Sequence, residues 1–231
     1  MPAYRIRKST RAKHIRINVL PGDGIEVVVP KRSSIKQAKL FLQQNLDWVN
    51  KQLEQYDHFN TPVRPEKIYL PASNETWRVE YGNTIDNPST GSRHELTEHG
   101  SCLSLSCAPH ESAIIKKLLT RWLRRKAWQY FPLWLDDSSK TTGITYEKLS
   151  IRSQKTRWGS CSAAANISLN DRLLFLPFDT VEYVMIHELC HIEHLNHSKS
   201  YWDTVEKHCP EHRQHERLLK QAYPGIPAWA L

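Results

Sequence analysis

An α+β fold is predicted for these 231 residues by three observations. Short runs of alternating or continuous apolar residues occupy the first third. Segments with apolar residues at helical spacing dominate the second half. Three further strand-like runs lie together between the two most regular helical segments, so strands and helices are grouped and do not alternate singly.

Taken in order, Tyr4-Arg5-Ile6-Arg7 and His14 to Val19 alternate as half-buried strands, and Ile25 to Val29 reads as a third strand. Pro21-Gly22-Asp23-Gly24 is a hairpin turn by composition. Ser33 or Ser34 can cap a helix over 35–56, with Ile35, Ala38, Leu42, Leu46, Val49 and Leu53 on its apolar side. Short strands are expected near 67–70, 76–81 and 101–107, and the polar, turn-rich stretch from Gly82 to Gly100 reads as loop. Residues 111–131 make a long amphipathic helix, with Ile114, Ile115, Leu118, Leu119, Trp122 and Leu123 inward and Pro132 marking a kink or end. Strands near 147–152, 157–161 and 166–170 follow. Pro177 and Asp179 then start a helix over 178–195, built on Val181, Val184, Met185, Leu189, Ile192 and Leu195. Two helices close the chain, one after Ser198 and one over 211–222. The expected organisation is a β-rich module with one helix over 1–108 and a core over 109–231.

The chain is long enough to bury a sizeable core, and its 39% hydrophobic and 24% charged residues are ordinary for a globular protein. No apolar run approaches the roughly 20 residues needed to span a bilayer. The basic N-terminus lacks the apolar stretch of a signal peptide, so a cytoplasmic protein without membrane contact is expected. The cysteines at 102, 107, 161, 190 and 209 form no CxxC pair, which argues against a disulfide framework and a cysteine-based zinc finger. Cys190 and Cys161 are read as packed thiols.

The functional signal is His187-Glu188-Leu189-Cys190-His191, with a further histidine, His197, six positions on. At about 100° per residue, His187 and His191 lie roughly 40° apart on one helix face, so both imidazoles reach one ion. Glu188 falls beside that ion. Histidine nitrogens suit Zn²⁺, and three protein ligands leave a position open for water. A straight helix would carry His197 roughly 15 Å beyond His187, so the helix must stop, and a left-handed Asn196 would return the chain. His194 is the competing third ligand, one turn beyond His191 on the same stripe. His208, His212 and His215 are read as solvated.

Arg157-Trp158-Gly159-Ser160-Cys161-Ser162, Asn166-Ile167-Ser168-Leu169-Asn170, the HELxH block and Asn196-His197-Ser198 with Tyr201-Trp202 together resemble the YgjP-like metallopeptidase family. That family is related to the WLM and SprT-like zinc metallopeptidases and to minigluzincin scaffolds. The resemblance spans roughly residues 5–223, with Tyr201 standing where relatives often have Phe. It implies a minigluzincin-like zincin core of helix, small sheet, HExxH helix and closing helices, with zinc held by His187, His191 and His197 and Glu188 as general base.

Three activities are compatible with these residues. A peptidase would pair its extended substrate with a sheet edge, for which Asn166 to Asn170 is the candidate. A hydrolase of nucleoside triphosphate phosphoanhydrides would clamp phosphates with Arg152, Lys155 and Arg157. The net charge of +8, with six basic residues and no acids from Lys116 to Lys126, also admits non-specific nucleic-acid binding, although the helical run reads first as a solvated face. Tyr201, His194, Arg152 and Arg157 are the candidates for oxyanion stabilisation or substrate contact.

Overall fold

The computed structural model describes residues 4–20, 24–57, 64–82, 85–87 and 91–231. The chain divides into two compact units, Met1–Thr61 with Leu231, and Pro62–Ala230.

In the first unit, β1 (Tyr4–Ser9) runs parallel to β3 (Gly24–Pro30), and β2 (Arg16–Leu20) lies antiparallel on the other side of β3. The expected turn at 21–23 lies outside the described residues. Ile25, Val27 and Val29 point to one face, as the period of two requires, and cluster with Ala38, Leu42 and Val49. These last come from two helices, α1 (Ile35–Gln44) and α2 (Leu46–Asp57), where the sequence suggested one. The break is at Asn45, whose side-chain amide donates to the Phe41 carbonyl at 2.7 Å. Ser34 and Gln37 form a capping box at the start of α1. On the opposite face of β3 the buried Glu26 carboxylate receives both Arg5 and Arg7 at 3.2 Å.

The second unit starts with β4 (Lys67–Leu70) and β5 (Glu75–Gly82), continues through a short hairpin, β6 (Ile85–Asn87) and β7 (Gly91–Arg93), and then β8 (Leu96–His99) and β9 (Cys102–Ser106). The stretch expected as loop therefore carries strands. The larger sheet has the order β4-β5-β9-β8, with β5 and β9 parallel.

Helix α3 (Ser112–Thr142) passes through Pro132 and ends only at Gly143, whose φ of 75° makes it a left-handed terminator. Phe131 and Leu135, both fully buried, hold the two sides of the proline to the core, which offsets the lost backbone bond. Trp77 of β5 meets Trp122 of α3 edge to face at 5.6 Å. Lys126, 3% exposed, donates to Glu75 at 3.1 Å and lies over the Trp77 ring. These contacts hold the sheet and α3 within one compact unit, and the division between the two units falls at 61/62 where 108/109 was expected.

A second sheet precedes the helix that bears the histidines. Its strands β10 (Lys148–Arg152), β11 (Gly159–Cys161) and β12 (Asn166–Asn170) take the order β10-β12-β11. β12 is thus central, bonded on both sides, and the edge expected at Asn166 to Asn170 is corrected: the free edges are β10 and β11. Asn170 ties the intervening loop down, its amide donating to the carbonyls of Gln154 at 2.8 Å and Arg157 at 2.7 Å. Helix α4 (Phe178–Glu193) follows, then α5 (Lys199–His208) and α6 (His212–Ala222). α4 packs against α3, α5, α6 and β11, which explains why it is apolar around most of its circumference.

Candidate metal centre

The last two turns of α4 carry His187 and His191, and what happens next sets the third position. The helix stops at Glu193, with His194 as its C-cap in an extended conformation, φ −134° and ψ 101°. Among the described residues only Asn74 and Ala165 are non-glycine positions with positive φ, so the expected left-handed reversal at Asn196 is corrected. Asn196 works through its side chain, whose carbonyl oxygen accepts from the Ser198 amide at 3.2 Å. Ser198 in turn caps α5.

The chain thereby returns His197 to α4. His197 Nε2 lies 3.4 Å from His187 Nε2, and ligand atoms of His187, His191 and His197 all fall within 4.8 Å of one another. His194 turns away, its Nε2 3.2 Å from the Thr204 hydroxyl.

These residues fit a zinc ion. Two nitrogens bound at about 2.05 Å in a tetrahedron stand ~3.3 Å apart, close to the observed His187–His197 separation. His191 Nδ1 lies 3.0 Å from the His194 carbonyl, and His187 Nδ1 lies 3.3 Å from the Tyr183 hydroxyl. Nδ1 protons donated to those oxygens leave both Nε2 lone pairs for a metal. Burial, reinforced by the neighbouring imidazoles, pushes His187 down to about 3, and burial also lowers His191. Both are therefore neutral, as ligation requires.

Glu188 is 5% exposed, and burial pushes its carboxyl up to about 8, with Arg157 pulling the other way. It lies directly under β11. A Cβ built on Gly159 would stand 2.6 Å from Glu188 Oε1 and 2.8 Å from its Cγ, so only glycine admits this approach. The Cys161 thiol is pushed up to about 11 by burial and by Glu188, and Cys190 to about 12 by burial, so both remain protonated; Cys190 is buried, whereas Cys161 is half-buried.

The other predicted residues divide. Tyr201 stacks on His191 with centroids 4.5 Å apart and donates its hydroxyl to the His187 carbonyl at 3.2 Å. It braces the ligand helix with the group expected to face substrate. Arg157 lines the cavity beside Glu188. Arg152 ends β10, on the far side of β12 from β11, and Lys155 is exposed in the loop, so the three basic residues do not converge there.

His212 and His215, read as solvated, are 4% and 8% exposed. His212 stacks on Trp202, which also stacks on His197, and His215 stacks on Tyr183 and contacts Thr180 at 3.2 Å. Sequence reasoning assigned no role to Gly159 or Tyr183. The signal for Tyr183 was its place one helical turn before His187; Gly159 stood in the Arg157–Ser162 block, but nothing local tied it to Glu188.

Three imidazoles converging on one point, with a buried carboxyl beside them, define the class of protein: a metal-dependent hydrolase. A family model described as YgjP-like, metallopeptidase domain, matches residues 13–222, and the chain belongs to that family. Among solved structures it is similar to the metallopeptidase zymogen abylysin of Pyrococcus abyssi, at 27% identity over 39% of this chain and 91% of that one, with a TM-score of 0.36. It is also similar to the zymogen jannalysin of Methanocaldococcus jannaschii, at 19% identity over 38% and 92%, with a TM-score of 0.35. No curated protein matches. Among the described residues no helix is long and apolar enough to cross a membrane.

Proposed function

We propose that the protein hydrolyses peptide bonds with a zinc ion held by His187, His191 and His197, and with Glu188 as general base, on a minigluzincin-like core formed by α3, the β10–β12 sheet, α4 and the closing helices. The observation that carries the peptide reading is the position of β11. It is an edge strand whose backbone at Gly159 touches Glu188, so an extended chain paired with its free side would run past the carboxylate and the imidazoles.

When bound, zinc polarises the scissile carbonyl and lowers the pKa of water. Glu188 takes the proton of the attacking water and returns it to the leaving amine. Its burial under β11 keeps bulk water from competing for that proton. Tyr183 and the His194 carbonyl orient His187 and His191 through Nδ1, and Trp202 backs His197.

The nucleotide reading asked Arg152, Lys155 and Arg157 to hold one substrate, and only Arg157 lines the cavity beside Glu188. The nucleic-acid reading is weakened by the basic run on α3: Lys126 is buried on Glu75, Arg124 pairs with Asp171 and Arg125 with Glu98.

The test is zinc content together with hydrolysis of unstructured peptides and of nucleoside triphosphates, by wild type and Glu188→Gln. Peptide cleavage is expected, with Glu188→Gln retaining zinc and losing about 10²-fold or more in rate. Peptide cleavage at an undiminished rate in Glu188→Gln, or hydrolysis of triphosphates alone, would overturn the proposal.

A further inference from the structure

A cavity of about 430 Å³ opens beside Glu188, and both His187 and Glu188 contribute to its wall. We infer that it is the recognition subsite for one large apolar or aromatic side chain flanking the scissile bond of a peptide substrate. The inference rests on the peptidase reading above and adds to it the class of residue selected.

The cavity is continuous with the metal centre because it is built by the preceding turn of the same helix. Tyr183 and Val184 of α4 form one side, Trp158 at the entry to β11 a second, and Leu219 of α6 with Tyr223 just beyond it the third. These walls are already fastened in place. The Trp158 indole nitrogen donates to the Leu219 carbonyl at 3.3 Å, the Trp158 and Tyr223 rings lie 4.6 Å apart, and the Tyr183 ring is stacked on His215. An incoming side chain therefore has no wall to order, so the apolar area it buries is retained as affinity.

Charge argues for the same class. Arg157 and Lys220 contribute exposed cations to the lining, and Glu216 a half-buried carboxylate. A substrate side chain of either sign would be brought close to a like charge as well as an opposite one, whereas a neutral apolar group gains burial without that conflict. The position also follows from the edge strand. Trp158 immediately precedes Gly159, so a chain paired along β11 beside Glu188 passes the mouth of the cavity with a residue next to the bond being cut.

The first measurement is a cleavage profile of the zinc-loaded enzyme on a peptide mixture varied at the residues on both sides of the scissile bond. A preference for Phe, Tyr, Leu or Met over Ala of about tenfold or more is expected at one flanking position. Leu219→Trp, which fills the cavity, is expected to invert that ratio, and Val184→Phe serves the same purpose should the first variant not fold. Cleavage with no preference at either position, a preference for Lys, Arg, Asp or Glu, or a preference untouched by both variants would overturn the subsite.

The second measurement is independent of turnover. N-acetyl-phenylalaninamide and N-acetyl-alaninamide are titrated into Glu188→Gln while the Trp158 indole N–H resonance, identified with Trp158→Phe, is followed by NMR. The phenylalanine probe alone is expected to shift it, and Leu219→Trp in the Glu188→Gln background to abolish the shift. Absence of peptide cleavage with the shift present would refute the peptidase reading and leave the pocket standing as an apolar side-chain site. Absence of the shift would refute the pocket whatever the enzyme cleaves.

Discussion

Replacing Glu188 by glutamine in the metal-free protein is expected to remove a large pH dependence of folding stability. The Glu188 carboxyl has its pKa raised from 4.5 in the unfolded chain to about 8 in the native state, because burial disfavours the charged form more strongly than Arg157 favours it. Between those values the native protein keeps a proton that the unfolded chain has released. The native state then binds more protons, so stability is greatest below 4.5 and falls as pH rises through about 8. At about 1.4 kcal/mol per pH unit, the full loss is on the order of 5 kcal/mol. Glutamine has no such titration and nearly the same shape. The stability of Glu188→Gln minus that of wild type should therefore climb by several kcal/mol as pH rises from 4.5 to about 8 and level off above that. His187, pushed down to about 3, contributes stability that is lost as pH falls below its unfolded value of 6.5, and it does so in both proteins, so it cancels in the difference. Urea unfolding in excess chelator at half-unit intervals from pH 5.5 to 9 supplies the measurement. A difference constant to within about 0.5 kcal/mol across that range would refute the buried, uncompensated carboxyl on which the argument stands.

Three further predictions concern the metal and the strand above Glu188. His197→Ala is expected to weaken zinc binding by about 100-fold or more, exceeding what loss of an outer-shell partner costs. His194→Ala should change affinity little, because the His194 group that holds His191 is its backbone carbonyl; competition with a chromogenic chelator ranks the two, and a larger loss in His194→Ala would contradict the geometry. Tyr183→Phe removes the oxygen beside His187 Nδ1 and should lower zinc affinity by about 10-fold to 100-fold with the stacking on His215 retained, read in the same competition assay. Gly159→Ala places a methyl 2.6 Å from Glu188 Oε1, so kcat should fall while zinc content stays near one per chain; an unchanged kcat would show that Glu188 tolerates displacement.

Much of the site was legible because its signals are local. His187, Glu188 and His191 share one helix, and a helix converts spacing directly into direction. The apolar positions that define α4 surround them in the same window, and the match is close: residues 178–195 expected, Phe178–Glu193 observed. His197 was reached by excluding a straight helix, yet the device was misread. The reversal comes from an extended His194 and the side-chain bond of Asn196, because a cap that hydrogen-bonds forward to Ser198 needs no left-handed residue.

What the linear order of residues determined by itself is the inventory: an α+β chain, the helix that presents two imidazoles and a carboxylate, and the third imidazole within reach. Tertiary structure alone decided the rest. Which strand is an edge depends on pairing between segments far apart in sequence, and β12 proved central because β10 and β11 both bond to it. Whether a histidine is solvated depends on what packs over it, and α6 turns His212 and His215 inward against Trp202 and Tyr183. The bareness of Gly159 has meaning only because Glu188 arrives beneath it from a different element. Where the first unit ends was likewise set by Lys126 and Trp122 meeting Glu75 and Trp77, contacts across some fifty residues that no local pattern records.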